Sequence, residues 1–363
     1  MKNKLDRKYL SLLKKILEHG VQKIDRTGTG TLSLFDCHLR LDLSEGFPLL
    51  TSKKMFIKAV IIELIWFLRG DTNIKYLVDH DCHIWNGDAY KNYTKRVQKI
   101  IDGYKAGDLM GIQPHIEGIF SDPDQLIPLS LGEFVTKIKT DSQFAKSWGE
   151  LGPIYGHSWR NWNGNPHNPS KSGIDQIQNL ITELKTNPDS RRLMVTAWNP
   201  SDLGDSVLPP CHFNFQCYTT KLDFNQRLLW WTNSLGKDPD YGLDFTHLDL
   251  DRLGVPTRKL DLKWSQRSCD FPLGVPFNIA SYAFLLHLLA REVNMIPNEL
   301  IFSGGDCHIY LNQIKGVKKQ LEQETYKLPT LELSNTSFED LKYEDFKIIG
   351  YQSSDKISLP LSN

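Results

Sequence analysis

The chain reads as an α+β protein, and three observations predict it. Several separated stretches alternate apolar with polar residues, as half-buried strands do. Others repeat apolar residues at helical spacing. The two kinds follow one another without a regular β-α-β rhythm, which disfavours a doubly wound sheet.

Taken in order, Leu10, Leu13, Ile16 and Leu17 keep helical spacing in a lysine-laced amino terminus. That segment lacks the unbroken apolar core of a signal peptide, so a cytoplasmic location is expected. Residues 28–43 read as a turn followed by a strand, and 58–68 as a helix. Its most apolar run, 59–68, is too short to span a bilayer and contains Glu63. Ile174, Ile177, Leu180, Ile181 and Leu184 form an amphipathic helix stripe, ended by Asn187-Pro188-Asp189. Residues 191–198 are strand-like. Phe213, Phe215 and Cys217 alternate with Asn214, Gln216 and Tyr218, and Leu260, Leu262 and Trp264 alternate similarly toward 266–270. Pro276 then opens an apolar helix that runs to about residue 293.

Two stretches interrupt this pattern. Residues 90–148 are rich in Gly, Pro and Lys, with one helical stripe at Leu131, Phe134, Val135 and Ile138. Residues 223–259 carry turn signals at 237–240 and 254–256 around the bulky Leu228-Leu229-Trp230-Trp231 patch, and read as an elaborated, extended surface hairpin. Both are taken as insertions into a single domain spanning residues 1–363.

Acidic and basic residues balance at 43 each, so no global field recruits nucleic acid or an anionic membrane. Any affinity for phosphate must come from a local cluster. Four of the six cysteines stand in Cys-His dipeptides (37–38, 82–83, 211–212 and 307–308). No Cys-x-x-Cys pair accompanies them, and adjacent strand residues face opposite sides, so no metal site is expected. Most of these cysteines read as small core residues.

Chemistry concentrates in a few short stretches. Cys211 follows a stiff Pro209-Pro210 pair and precedes His212; it is either a buried structural thiol or a nucleophile needing nearby positive charge. Arg267 and Ser268 end a strand and suit an anion, as do Arg26 in a glycine-bearing polar loop and the pair Arg191-Arg192 after a turn. Asn278 sits just past Pro276; its carboxamide either bonds near a helix start or presents a donor and an acceptor side by side. Glu63 has Ala59, Val60, Trp66 and Phe67 as its helical neighbours, an apolar face on which a carboxyl must be protonated, paired or used. His308 and Tyr310, two apart, share a strand face.

Together these stretches resemble the thymidylate synthases, and the resemblance runs from Asp25 to the last residue. It implies a large mixed β-sheet flanked by helices and the reductive methylation of dUMP to dTMP, with 5,10-methylenetetrahydrofolate as one-carbon donor and reductant. No flavin or nicotinamide motif is visible, and none is needed. By resemblance Cys211 is the nucleophile, with His212 a hydrogen-bonding neighbour. Arg26, Arg191, Arg192, Arg267 and Ser268 hold the phosphate, Arg191 and Arg192 being donated by the second subunit of a homodimer. Asn278 reads the uracil edge, and His308 and Tyr310 bond the ribose 3′-hydroxyl. Glu63 orders water and shuttles protons, and Tyr155 assists proton removal at carbon 5. Trp85, Asp270 and the terminal Asn363 face the folate. Three features depart from the family pattern: Asp88 stands where many members have a second tryptophan, the tail ends in polar Ser362-Asn363, and the two insertions are present. A looser tail would admit water, so a dUMP hydroxymethylase on the same fold stays open, as does a catalytically silent nucleotide- or RNA-binding relative.

Overall fold

A computed structural model describes residues 2–25, 27–106, 118–122, 125–164, 172–235 and 245–362. In chain order the strands are β1 (Val21–Lys23), β2 (Thr31–Asp42), β3 (Phe120–Asp122), β4 (Ile127–Pro128), β5 (Met194–Thr196), β6 (His212–Lys221), β7 (Arg258–Asp270), β8 (Ile296–Tyr310), β9 (Thr330–Leu333) and β10 (Phe346–Ile349). The helices are α1 (Lys4–His19), α2 (Ile57–Leu68), α3 (Lys75–Asp79), α4 (Asn86–Lys105), α5 (Leu131–Thr140), α6 (Ser142–Trp148), α7 (Tyr155–Arg160), α8 (Gln176–Thr186), α9 (Phe224–Leu235), α10 (His247–Arg252), α11 (Gly274–Glu292) and α12 (Ile314–Leu321). They group into two compact units, one of residues 1–55, 175–196 and 211–362, the other chiefly of 56–174 and 197–210.

The first unit is built on a six-stranded mixed sheet in the order β1-β2-β8-β7-β6-β5. Only β7 and β8 run parallel; every other neighbouring pair is antiparallel. That parallel pair requires a crossover, and α11 supplies it. Nearly every α11 side chain from Ile279 to Ala290 is buried, including Phe284, Leu285 and Leu288, so the helix lies against the sheet as core. Trp264 of β7 stacks on Tyr282 of α11 with ring centroids 5.1 Å apart, fixing helix to strand. On β6 the even-numbered Gln216 and Tyr218 are exposed, while Phe215 and Cys217 are buried, the alternation expected of a half-buried strand.

Asp6, buried in α1, fastens the approach to the site. Its carboxylate accepts from the Thr51 hydroxyl at 2.7 Å, the Ser52 amide at 3.0 Å and Asn3 at 2.8 Å. The next residue, Lys53, is thereby held inward, where its Nζ donates to the carbonyl of Pro272.

The second unit is mainly helical. Trp66, Phe67, Trp85, Tyr155 and Trp159 make one aromatic cluster; Tyr93, Phe134, Phe144 and Trp148 make another. Among the described residues no helix is long and apolar enough to cross a membrane.

Both insertion stretches are helical over much of their described length. Within 90–148 the stripe at Leu131–Ile138 forms α5, but most of the stretch up to residue 105 is also helical. In α4, Ala89, Tyr93, Val97 and Ile101 recur every four residues and are buried beneath a lysine-rich surface. Residues 223–259 do join the antiparallel β6 and β7, yet the described part of the join is helical, not extended. Asp223 and Gln226 cap α9 reciprocally (Gln226 N–H to Asp223 at 2.8 Å, Asp223 N–H to Gln226 at 3.0 Å), and Thr246 and Asp249 do the same for α10. The Leu228–Trp231 patch lies in α9; the turn signals at 237–240 fall outside the described residues. The strand expected over 191–198 is only β5.

Replacing Asp6 with alanine strips four donors, the Thr51 amide among them, of their shared buried acceptor. A loss of about 3 kcal/mol in unfolding free energy is expected in urea titrations; a change under about 0.5 kcal/mol would contradict the anchoring role.

Candidate active site

In the first unit the candidate residues gather at one end of the sheet. β6 begins at His212, which pairs with Gln266 of β7. One step further the Arg267 amide donates to the Cys211 carbonyl at 2.8 Å, so thiol-bearing and guanidinium-bearing residues are cross-strand neighbours. Cys211 is half-buried, whereas Cys37, Cys82, Cys217, Cys269 and Cys307 are buried. Its neighbour His212 receives or gives a hydrogen bond at the Tyr282 hydroxyl, 2.8 Å away, and burial pushes its pKa down to about 3. His212 is therefore neutral at physiological pH and adds no positive charge beside Cys211.

Along β7, Ser268 and Asp270 follow Arg267. Across the parallel ladder Ser268 faces Asp306 and Asp270 faces His308 of β8. Ser268, Asp270 and His308 share one face of the β7–β8 ladder, while Arg267, next to Ser268, is the cross-strand neighbour of Cys211. His308 lies 3.1 Å from an Asp306 carboxylate oxygen and sets its ring edge-on to Tyr310, 5.1 Å between centroids. Bonds from His308, Ser33 and Lys23 hold Asp306 well below the usual carboxylate range.

Asp270 is pushed upward by burial, against the opposing pull of Gln313, the Leu273 amide, His308 and Lys53. One of its oxygens accepts from the Leu273 amide and the other from Gln313, both at 3.1 Å. A carboxylate has about four acceptor positions, so capacity remains for N–H donors of a ligand. Burial lowers Lys53 to about 8, partly offset by Asp270. The second Gln313 N–H reaches the Pro360 carbonyl at 3.0 Å, and Asn312 donates to the Ser362 hydroxyl at 3.3 Å. Beneath this tail Gly316 leaves room that a Cβ would take, 2.5 Å from Leu359 Cδ2. The polar Ser362 thus has a partner of its own.

Asn278 occupies the second turn of α11 and is half-buried. The N-cap of that helix is Leu273, without a side-chain cap bond, so Asn278 is not a capping residue. Arg191 and Arg192 are exposed at the turn between α8 and β5. Arg26 and Asn363 lie outside the described residues.

The second unit brings Glu63, Trp85 and Tyr155 together. The Trp85 indole N–H donates to Glu63 Oε1 at 2.8 Å, and the Trp85 and Tyr155 rings meet edge-on at 6.3 Å. Glu63 retains partial surface exposure, yet burial pushes its carboxyl up to about 7, the Trp85 bond opposing the shift. A carboxyl titrating near neutral pH can both give and take a proton. Asp88 lies in the first turn of α4, where a negative charge favours the helix end, so it has a local structural use.

Three site neighbours escaped the sequence reading: Lys53, Asp306 and Gln313. Lys53 stands in a Lys-Lys pair and reads as surface charge. Asp306 and Gln313 flank the His308–Tyr310 pair closely enough that their proximity was the available signal.

Replacing Glu63 with glutamine tests its environment. The folded carboxyl titrates at about 7 against an ordinary 4.5, so the wild-type protein loses stability as pH rises through that window, when the unfolded chain ionises first. The variant lacks that slope. Between about pH 5 and pH 8 it should gain roughly 2 kcal/mol relative to wild type in urea unfolding. Parallel pH profiles would remove the buried-carboxyl assignment.

Comparison with known proteins shows the family. The profile of the family described as Thymidylate synthase matches residues 7–363. A thymidylate synthase of Listeria monocytogenes serotype 4a (strain HCC23) is 41% identical over 360 residues, covering 98% of this chain and 99% of the relative. One from Mycoplasma mobile (strain ATCC 43663 / 163K / NCTC 11711) is 42% identical over 347 residues, covering 95% and 96%. This chain belongs to the thymidylate synthase family.

Proposed function

We propose that the protein catalyses the reductive methylation of dUMP to dTMP, with Cys211 as nucleophile. The observation that carries this reading is the Arg267 amide bonded to the Cys211 carbonyl, which makes the half-buried cysteine the cross-strand neighbour of an arginine–serine pair suited to phosphate. Cys211 adds to carbon 6 of the uracil ring, which makes carbon 5 nucleophilic, and departs when the product forms. Arg267, Ser268, Arg26, Arg191 and Arg192 bind the phosphate. His308 and Tyr310 take the ribose hydroxyl, and Asn278 pairs with the N3–H and O4 of the base. Glu63 and Tyr155 move protons, Glu63 because its pKa lies near neutrality.

5,10-Methylenetetrahydrofolate supplies the carbon unit and the hydride. Asp270 fits a folate ring because its half-buried carboxylate keeps acceptor capacity for ring N–H groups. Trp85 and the terminal Asn363 complete the folate side, with Gln313 and Gly316 seating the tail. The working form is a homodimer in which Arg191 and Arg192 serve the second subunit's site. Exposed apolar side chains beside that pair, Met194 at 51% and Tyr218 at 68%, support a covered sheet face.

Purified protein mixed with dUMP and methylenetetrahydrofolate should yield dihydrofolate, followed by absorbance, and an equal amount of dTMP, followed by mass. Hydroxymethyl-dUMP without dihydrofolate would replace this reading with the hydroxymethylase. Cys211→Ala should lower turnover by roughly a thousandfold or more while nucleotide binding remains measurable; retained turnover would sink the nucleophile assignment. Asn278→Asp should shift the kcat/KM preference toward dCMP, and unchanged discrimination would remove Asn278 as the base reader.

A further inference from the structure

The 223–259 connection ends on a buried guanidinium. Arg258, the first residue of β7, is 7% exposed. Its Nε donates to the Thr219 hydroxyl on the paired strand at 2.9 Å, and its Nη2 reaches the Asp189 carboxylate in the turn after α8. The Thr219 hydroxyl in turn donates to the Pro188 carbonyl at 2.7 Å. Two consecutive residues of one turn are thus gripped from inside by one arginine–threonine pair. Two positions later the same turn presents Arg191 and Arg192 to solvent. Within the turn, the Ser190 amide donates to the Asn187 carbonyl at 3.0 Å and the Arg192 amide to the Ser190 hydroxyl at 3.2 Å.

Arg258 is itself held by the connection. Arg227 of α9, 2% exposed, donates to the Pro256 carbonyl at 3.1 Å, the Val255 carbonyl at 3.0 Å and the Asp251 carboxylate at 2.6 Å. The Leu222 amide closes on the Thr257 carbonyl at 2.9 Å. Every residue from 255 to 257 therefore has its carbonyl fixed just before Arg258. Two adjacent guanidiniums repel each other and carry long, freely rotating stems, so a backbone held in advance lowers the cost of bringing both to one anion.

We propose that Arg258, braced by the 223–259 connection through Arg227, is a positioning residue that sets the Arg191–Arg192 pair for a nucleotide phosphate. This rests on the reading of that pair as phosphate ligands. The connection's job is then mechanical: it acts on substrate affinity from the end of the β6–β7 hairpin opposite Cys211, about 30 Å along the strands.

The test uses the full-length protein, with dUMP and the phosphate-free nucleoside deoxyuridine as paired probes. Arg258→Met and Asp189→Asn should each raise the KM for dUMP roughly tenfold, with kcat and the folate KM unchanged. Deoxyuridine binding should not move, and Arg258→Lys should recover part of the loss. In an Arg191→Ala/Arg192→Ala background the Arg258→Met effect should vanish. Equal losses for dUMP and deoxyuridine, or a loss persisting in that background, would mean a general structural role and overturn the proposal. If the double alanine variant weakens dUMP but neither Arg258→Met nor Asp189→Asn does, the proposal fails while the ligand reading stands. Unchanged dUMP affinity in the double variant would sink the ligand reading itself. Should Arg258→Met not fold, Asp189→Asn alone decides, since that side chain is 67% exposed.

Discussion

One main-chain hydrogen bond, from the Arg267 amide to the Cys211 carbonyl, sets the register at the end of the sheet where the candidate residues gather. It extends the β6–β7 ladder past His212 and Gln266, so the residue with the thiol cannot move independently of the residue with the guanidinium. β7 then passes that registration to β8 through the parallel ladder, which aligns Asp270 with His308. A slip of one residue in either ladder would turn every one of these side chains to the opposite face. The buried α11, stacked on Trp264 through Tyr282, is what makes such a slip costly.

Burial then decides the protonation states that this frame holds. His212 is neutral because it is enclosed, so it adds no positive charge beside Cys211. Enclosure acts in the opposite direction on Glu63 and Asp270, raising both carboxyls, but their partners differ. Glu63 has one indole donor, whereas Asp270 has two donors and a nearby lysine. Two acids on one chain are thus suited to different tasks by their surroundings, one to exchanging a proton and the other to accepting hydrogen bonds.

Much of this was legible in sequence because it is local. Pro209-Pro210-Cys211-His212, Arg267-Ser268 and Asn278 announce themselves by residue type, and the alternation of Phe213 to Tyr218 gives the strand its faces. Glu63 stood out because all its helical neighbours are apolar. What escaped depends on partners distant in the chain. Lys53 is drawn inward by a carbonyl at Pro272, and Gln313 gains its meaning only from Asp270 and Pro360. The helical content of 223–259 was obscured by its aromatic patch and turn residues, although the Asp223–Gln226 cap was there to be read. That Arg258 reaches back to Asp189, 69 residues earlier, has no local signature at all.

The distribution of thiols has a consequence for how the protein meets reactive small molecules. Cys269 and Cys307 are side by side on β7 and β8; that contact and burial push Cys307 up, while the Cys307 contact and burial push Cys37 up. Burial pushes Cys82 and Cys217 up to about 12. A chain with six sulfhydryls therefore offers a passing electrophile or peroxide a single practical target, the half-buried Cys211. The interior is chemically quiet at sulfur, and an oxidative or alkylating insult falls on the Cys211 turn first, while the rest of the fold is spared.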